Sequence, residues 1–260
     1  KFDYTWYKKG SFIDTMKHQA FNIQELYFAG GEPLLIPEHY KILEFMVDEG
    51  YAKDCNLRYN SNGLELPDKL FKLWQHFKEV RFNFSIDAYG ERNDYIRYPS
   101  KWSDVETNLR RLDENTKDNT VINIACAVQL LNVGYIDELA EWKMDQGFSK
   151  INPSMFGGGI IGTHLVYLPS YLNVQVLPQE AKLWIKGKVE NFIDRQKFNL
   201  EFNQHPYGAQ RWRGLIKYMM QDDWSNKLPA LREYLAVTDK TRGTDYSKTF
   251  KELGEYINGH

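Results

Sequence analysis

The sequence is short of cysteine, of excess charge and of long apolar runs. Its 260 residues hold two cysteines, Cys55 and Cys126. They stand far apart and fit no zinc, disulfide-framework or cluster spacing, so both are expected to be ordinary buried thiols. The formal net charge is -2, with the two signs interspersed, which gives no electrostatic footprint for nucleic acid or an anionic membrane. No apolar run approaches the roughly 18 residues that span a bilayer, and the lysine-rich, aromatic N-terminus lacks an apolar signal core. The expectation is a cytoplasmic protein. The six histidines (His18, His39, His76, His164, His205, His260) show neither His-x-His nor His-Glu-x-x-His pairing, which argues against a metal site. A Gly-x-Ser-x-Gly elbow and a P-loop are also missing. The chain starts at Lys1 rather than Met, with Trp6 and Phe12 following at once, and reads as a piece of something longer.

What is present is a hydrophobic fraction of 42%, enough for a full core, arranged in alternating strand and helix signals. Phe12, Met16 and Phe21 pattern a helix over 11–22. Apolar strands are expected at 24–29, 56–60, 80–87, 121–129 and 150–155, with helices at 38–50, 67–77, 102–113 and 136–146 between them. One helix between each pair of strands is the signature of right-handed βαβ crossovers and a parallel sheet. Within 80–87, Val80, Phe82, Phe84 and Ile86 alternate with Arg81, Asn83, Ser85 and Asp87. Asn56, Arg58, Asn60 and Asn62 share a face in the same way, and Asn123 and Gln129 stand opposite Ile122, Ile124, Cys126 and Val128. Parallel strands covered on both sides read as unbroken apolar runs, and packed barrels fill their interior with branched aliphatics. These strands therefore predict an α/β fold of the partial (β/α)6 type, a parallel barrel with a polar, accessible concave side. A sheet with one solvated face is the plainer alternative.

Ligand groups in such a sheet come from the C-terminal strand ends: Gly30 to Pro33, Asn60 to Gly63, Ser85 to Asp87, and Gln129. Gly30 and Gly31 can take positive φ and let a ligand approach the backbone. Glu32 then faces either water or a cationic partner such as a ligand ammonium, since a buried carboxylate is costly unless paired. After 155 the pattern changes. Gly157-Gly158-Gly159 and Gly162 form a flexible connection without the helix N-terminus that would make it a phosphate cradle. A short strand is expected at 172–176, helices over 177–196 and within 208–235, and a terminal helix through Phe250, Leu253 and Ile257. The domain reading is a barrel core over 1–155 and a mostly helical C-terminal extension over 156–260.

The stretches Leu26-Tyr27-Phe28-Ala29-Gly30-Gly31-Glu32-Pro33-Leu34-Leu35, Tyr59-Asn60-Ser61-Asn62, Phe84-Ser85-Ile86-Asp87, Asp94-Tyr95-Ile96-Arg97, Trp102 ahead of Asn108-Leu109, Leu177-Pro178 with Lys182, and Asp239 with Arg242 stand in this order along the chain. Together they resemble the radical S-adenosylmethionine (radical SAM) enzymes, specifically the branch whose auxiliary-cluster (SPASM) domain is truncated to a twitch domain. The resemblance implies a six-stranded partial barrel and an oxidoreductase acting on a peptide or small metabolite. It implies that Gly30, Gly31, Glu32 and Pro33 hold the methionyl ammonium of S-adenosylmethionine, and that Ser85 and Arg97 take its carboxylate, a contact suited to a guanidinium. Asp87, Asn60, Asn62 and Gln129 would line the ribose or substrate side. The family also implies a [4Fe–4S] cluster on a Cys-x3-Cys-x2-Cys loop, which this chain lacks. Two cysteines cannot supply three thiolates, so the cluster is expected only in a longer chain. Two alternatives stay open: a cluster-less, non-catalytic binding module that keeps the fold, and an ordinary partial-barrel lyase or isomerase using Glu32, Asp87 and Arg97.

Overall fold

The computed structural model describes residues 10–151, 160–199, 202 and 208–259. Five strands, β1 (Glu25–Phe28), β2 (Asn56–Ser61), β3 (Glu79–Ser85), β4 (Thr120–Val128) and β5 (Gly162–Leu165), run parallel in one sheet in chain order. Helices α1 (Gly10–Gln19), α2 (Pro37–Asp48), α3 (Asp68–Trp74), α4 (Glu91–Ile96), α5 (Trp102–Asn115) and α6 (Ile136–Asp145) are interleaved with the first four strands. Beyond β5 come α7 (Gln179–Arg195), α8 (Gly208–Gln221), α9 (Leu228–Arg242), α10 (Tyr246–Thr249) and α11 (Lys251–Gly259). None of the helices among the described residues is long and apolar enough to cross a membrane. The chain divides into two units, one comprising residues 1–85, 105–123 and 149–151 and the other 86–104, 124–148 and 152–260.

In the first unit the alternation read from sequence decides which face is covered. Leu57 and Tyr59 of β2 and Val80, Phe82 and Phe84 of β3 are fully buried, as are Leu43 and Met46 of α2 and Leu70 and Trp74 of α3. Each such side chain contributes about 1.5–3 kcal/mol relative to an exposed one. Trp74 of α3 packs on Tyr59 and Phe82 at ring separations of 5.3 and 5.4 Å. The opposite row, Arg58, Asn60, Arg81, Asn83 and Ser85, stays partly open. In the second unit, Ile185, Val189 and Phe192 of α7, Trp212 and Met219 of α8, Leu231 and Leu235 of α9 and Leu253 and Ile257 of α11 are buried. Phe192 stacks on Trp212 at 5.0 Å.

The structure differs from these expectations at three places and leaves one largely undescribed. Of the strand expected at 150–155, the described part makes one parallel bridge, Ile122 to Ile151, while 152–155 lie outside the described residues, as does the glycine run 157–159. The regular strand falls later, where Gly162–Leu165 pairs with Ala125–Val128. The strand expected at 172–176 is instead two short 3₁₀ turns, Ser170–Leu172 and Val174–Val176. The cause is Asn173, whose side chain accepts from the Gln175 N–H at 2.9 Å and so offers the backbone a local bond in place of a sheet ladder. Phe21, expected on an apolar helix face, is 67% exposed because α1 stops at Gln19 and a 3₁₀ turn follows. Helix α4 was not expected. It starts after Gly90, whose φ of 63° sets the entry.

A buried histidine in the first unit makes stability depend on pH. Trp74 Nε1 donates to the Tyr59 hydroxyl at 3.3 Å, and that hydroxyl shares a hydrogen bond with His39 Nε2 at 2.8 Å. Nδ1 of His39 has no partner among the described residues. Burial without a counter-charge holds the imidazole down to about 4, against an ordinary 6.5. The unfolded chain therefore binds the proton more readily, and this contribution is complete above about pH 6.5 and lost as pH falls towards 4. Its size is about 3 kcal/mol at most. Urea unfolding should show wild type losing that much more stability than His39→Gln between pH 7.5 and 4.5, and equal losses would overturn the assignment.

Candidate functional site

The chain leaves β1 through two consecutive left-handed residues, Gly30 at φ 83° and Gly31 at φ 59°. No heavy atom lies within 4 Å of where a Cβ would stand on either, so the backbone is approachable from outside. Glu32 follows in extended conformation and caps the 3₁₀ turn Pro33–Leu35, its Oε1 accepting from the Leu34 N–H at 3.2 Å. Pro33 is buried and anchors that turn. The same Oε1 accepts from Ser61 Oγ at 2.6 Å, and Oε2 accepts from the Asn62 N–H at 2.8 Å. Ser61 Oγ in turn accepts from the Gly63 N–H at 2.9 Å. Glu32 thus laces the end of β1 to the end of β2. A carboxylate has about four acceptor positions. Three are taken, and one on Oε2 remains on a half-buried side chain.

Beside this turn a row of side-chain amides crosses the open face. Asn60 Nδ2 donates to the Tyr27 hydroxyl at 2.7 Å, Asn83 Nδ2 to Asn60 Oδ1 at 2.8 Å, and Asn123 Nδ2 to Asn83 Oδ1 at 3.4 Å. Each amide orients the next, so the face presents a fixed direction of donors and acceptors. Asn62, expected to join this row, closes its own turn by accepting from the Leu64 N–H at 3.0 Å. Ser85 ends β3, half-buried.

Asp87, Arg97 and Gln129 lie in the second unit. Asp87 is 5% exposed. Its Oδ1 accepts from the Ala127 N–H at 2.7 Å and its Oδ2 from Arg97 Nε at 2.8 Å. Its backbone is held on both sides, with Asn93 Oδ1 accepting from its N–H at 3.1 Å and Asn132 Nδ2 donating to its carbonyl at 2.8 Å. Gln129, 7% exposed, folds back so that its Oε1 accepts from the Leu131 N–H at 3.4 Å.

Asn93 and Asn132 lie outside the residues singled out from sequence, and Ser61, inside the Asn60 to Gly63 strand end, was given no role of its own. Ser61 falls on the apolar side of the β2 alternation and is buried, so the period concealed it. Asn93 and Asn132 are fully buried in stretches without strand period. A legible signal was position: Ser61 ends β2, Asn132 stands four places beyond the end of β4, and Asn93 eight places beyond the end of β3.

Among the described residues no group of three His, Cys, Asp or Glu side chains could hold a metal. Both cysteines are free and buried. Burial pushes the Cys55 thiol up to about 11 and the Cys126 thiol well above its ordinary value. Since the thiolate is the ligand, these two do not fit the cluster that the sequence resemblance implies.

Comparison with known proteins gives two findings. Residues 3–142 match the family model of the radical SAM superfamily. Among solved structures, the chain resembles native anSMEcpe with bound AdoMet and the Cp18Cys peptide, with a TM-score of 0.52 and 15% identity over 74% of this chain and 53% of that one. It resembles native anSMEcpe with bound AdoMet similarly, at 0.50 and 15% over 72% and 53%. The chain therefore spans about half the length of the structures it matches, and at this identity the likeness shows the fold. No curated protein matches the chain. Because the family match covers more than half of the sequence and the parallel sheet agrees with it, the chain belongs to the radical SAM superfamily.

Proposed function

We propose that the chain is the S-adenosylmethionine-binding portion of a radical SAM enzyme that modifies a peptide or small metabolite. The observation that supports it most directly is the turn after β1. There, two open, left-handed glycines stand beside a carboxylate with one acceptor position to spare. An ammonium is a donor with three N–H groups and a full charge, and fits that remaining position. Gly30, Gly31, Glu32 and Pro33 would hold the methionyl ammonium, and Arg97 with Ser85 the methionyl carboxylate. The amide row through Asn60, together with Asn62 and Gln129, belongs to the ribose or substrate side. A peptide substrate is favoured by the peptide bound to native anSMEcpe. The stretch from 156 serves as a twitch-like helical cap, and the protein works in the cytoplasm. In this reading the cysteines for a [4Fe–4S] cluster come from outside these 260 residues, and no chemical step is assigned to Cys55 or Cys126.

The buried, protonated state of both thiols favours a second reading, in which the fold binds S-adenosylmethionine without cleaving it. Iron and sulfide assays on the full protein, purified without oxygen, separate the two. Equal amounts of both, with cleavage that a chelator abolishes, are expected of the enzyme. Binding without iron or cleavage would establish the module.

The turn itself can be tested by calorimetry with S-adenosylmethionine. Glu32→Gln removes the charge facing the ammonium, and losing one partner of a desolvated pair costs about 2–5 kcal/mol, roughly a 30-fold or greater loss of affinity. The variant should also lose about 1–3 kcal/mol of stability, because the Gln amide cannot accept from Ser61 or Asn62 wherever its NH₂ group faces them. Gly31→Val fills the open approach and should weaken binding as well. Stability loss with affinity unchanged in both variants would reduce Glu32 to a structural lace.

A further inference from the structure

Asp87 spends its carboxylate in a way that bears on the ligand. The side chain is 7% exposed, and its two oxygens go to the Ala127 N–H and to Arg97 Nε. Of these donors the guanidinium alone carries charge. The position of Asp87 is in turn fixed from two directions by Asn93 and Asn132, both fully buried. Asn132 is itself held, donating to the Ala127 carbonyl at 3.0 Å and accepting from the Gln129 N–H at 2.7 Å. Arg97 sits at the C-terminal end of α4, its N–H donating to the Asn93 carbonyl at 2.8 Å, and its side chain is 26% exposed. A long, flexible cation is thereby tied at one nitrogen to a rigid, buried anion. A guanidinium held through Nε keeps the edge formed by its two Nη groups for another planar oxyanion.

We infer that Asp87 is a positioning residue, which presets the plane of Arg97 for the methionyl carboxylate of S-adenosylmethionine and does not itself contact the nucleoside. This rests on the reading that Arg97 takes that carboxylate. It revises the role that the sequence resemblance gave to Asp87. The physical gain is preorganisation: an arginine that must be ordered only when the ligand arrives loses that ordering cost from its affinity.

The test is a double-mutant cycle on the full protein with its cluster loaded, read as the dissociation constant of S-adenosylmethionine and, in parallel, of methylthioadenosine, which has no carboxylate. Asp87→Asn keeps an acceptor for Ala127 and places a neutral amide against Arg97. Its S-adenosylmethionine affinity should fall about tenfold, and Arg97→Ala should lose roughly 30-fold or more. In the Arg97→Ala background, Asp87→Asn should cost nothing further. Methylthioadenosine should bind all four proteins alike. Asp87→Glu, which keeps the charge but shifts the guanidinium by a methylene, should behave in the same way and serves if the asparagine variant does not fold. If Arg97→Ala leaves S-adenosylmethionine affinity unchanged, the carboxylate reading fails and takes this inference with it. If Arg97→Ala weakens binding while Asp87→Asn does not, if the two losses add, or if methylthioadenosine weakens equally, Asp87 is a structural residue and the inference alone is overturned.

Discussion

A parallel sheet whose strands follow one another in chain order forces its crossovers to one side. Every right-handed βαβ connection then lays its helix on the same face, and the other face is left without cover. In the first unit this accounts for the chemistry of the strands. Tyr59 and Phe82 meet Trp74 on the helical side, while Asn60 and Asn83 meet each other on the open one. A polar row across a parallel sheet would be expensive if it were buried among helices. Here Asn60 and Asn83 bond along the row and still face an accessible surface, while Asn123 at its end is buried with its Nδ2 bonded to Asn83.

The same constraint brings functional groups to the strand ends, and two carboxylates there have opposite fates. Among the described residues Glu32 binds neutral donors, from Leu34, Ser61 and Asn62. Its charge is solvated by dipoles and stays available to a cation. Asp87 has a cation of its own in Arg97, within a shell of buried asparagines, so its charge is spent. The first arrangement suits a residue that meets a ligand ammonium, and the second suits one that sets the geometry of a neighbour. Residue type alone does not distinguish them, since both are acidic residues following the end of an apolar strand.

The thiols show how burial limits what a residue type can do. Cysteine is the ligand expected of the superfamily's cluster, but Cys55 and Cys126 are held protonated by the apolar surroundings that make them good core residues. Cys126 Sγ takes part in the shell around Asp87, 3.7 Å from Asn132 Nδ2. Its place is in packing the second unit.

Much of this was legible in the sequence. The five-residue to nine-residue alternations of β2, β3 and β4 exposed both the strands and their polar faces, because side-chain direction in a strand has a fixed period of two. The Gly-Gly-Glu-Pro stretch announced its turn, because only glycine takes two successive left-handed conformations at little cost. What the sequence did not contain were the partners. That Ser61 would bond Glu32, that Asn173 would replace a strand by two tight turns, and that Asp87 would hold Arg97 depend on groups brought together from separate places along the chain or on competition between local and ladder hydrogen bonds. Periodicity reports which way a side chain faces, whereas which atom it meets is decided only when the crossovers close and each buried polar group must find a donor or acceptor within reach.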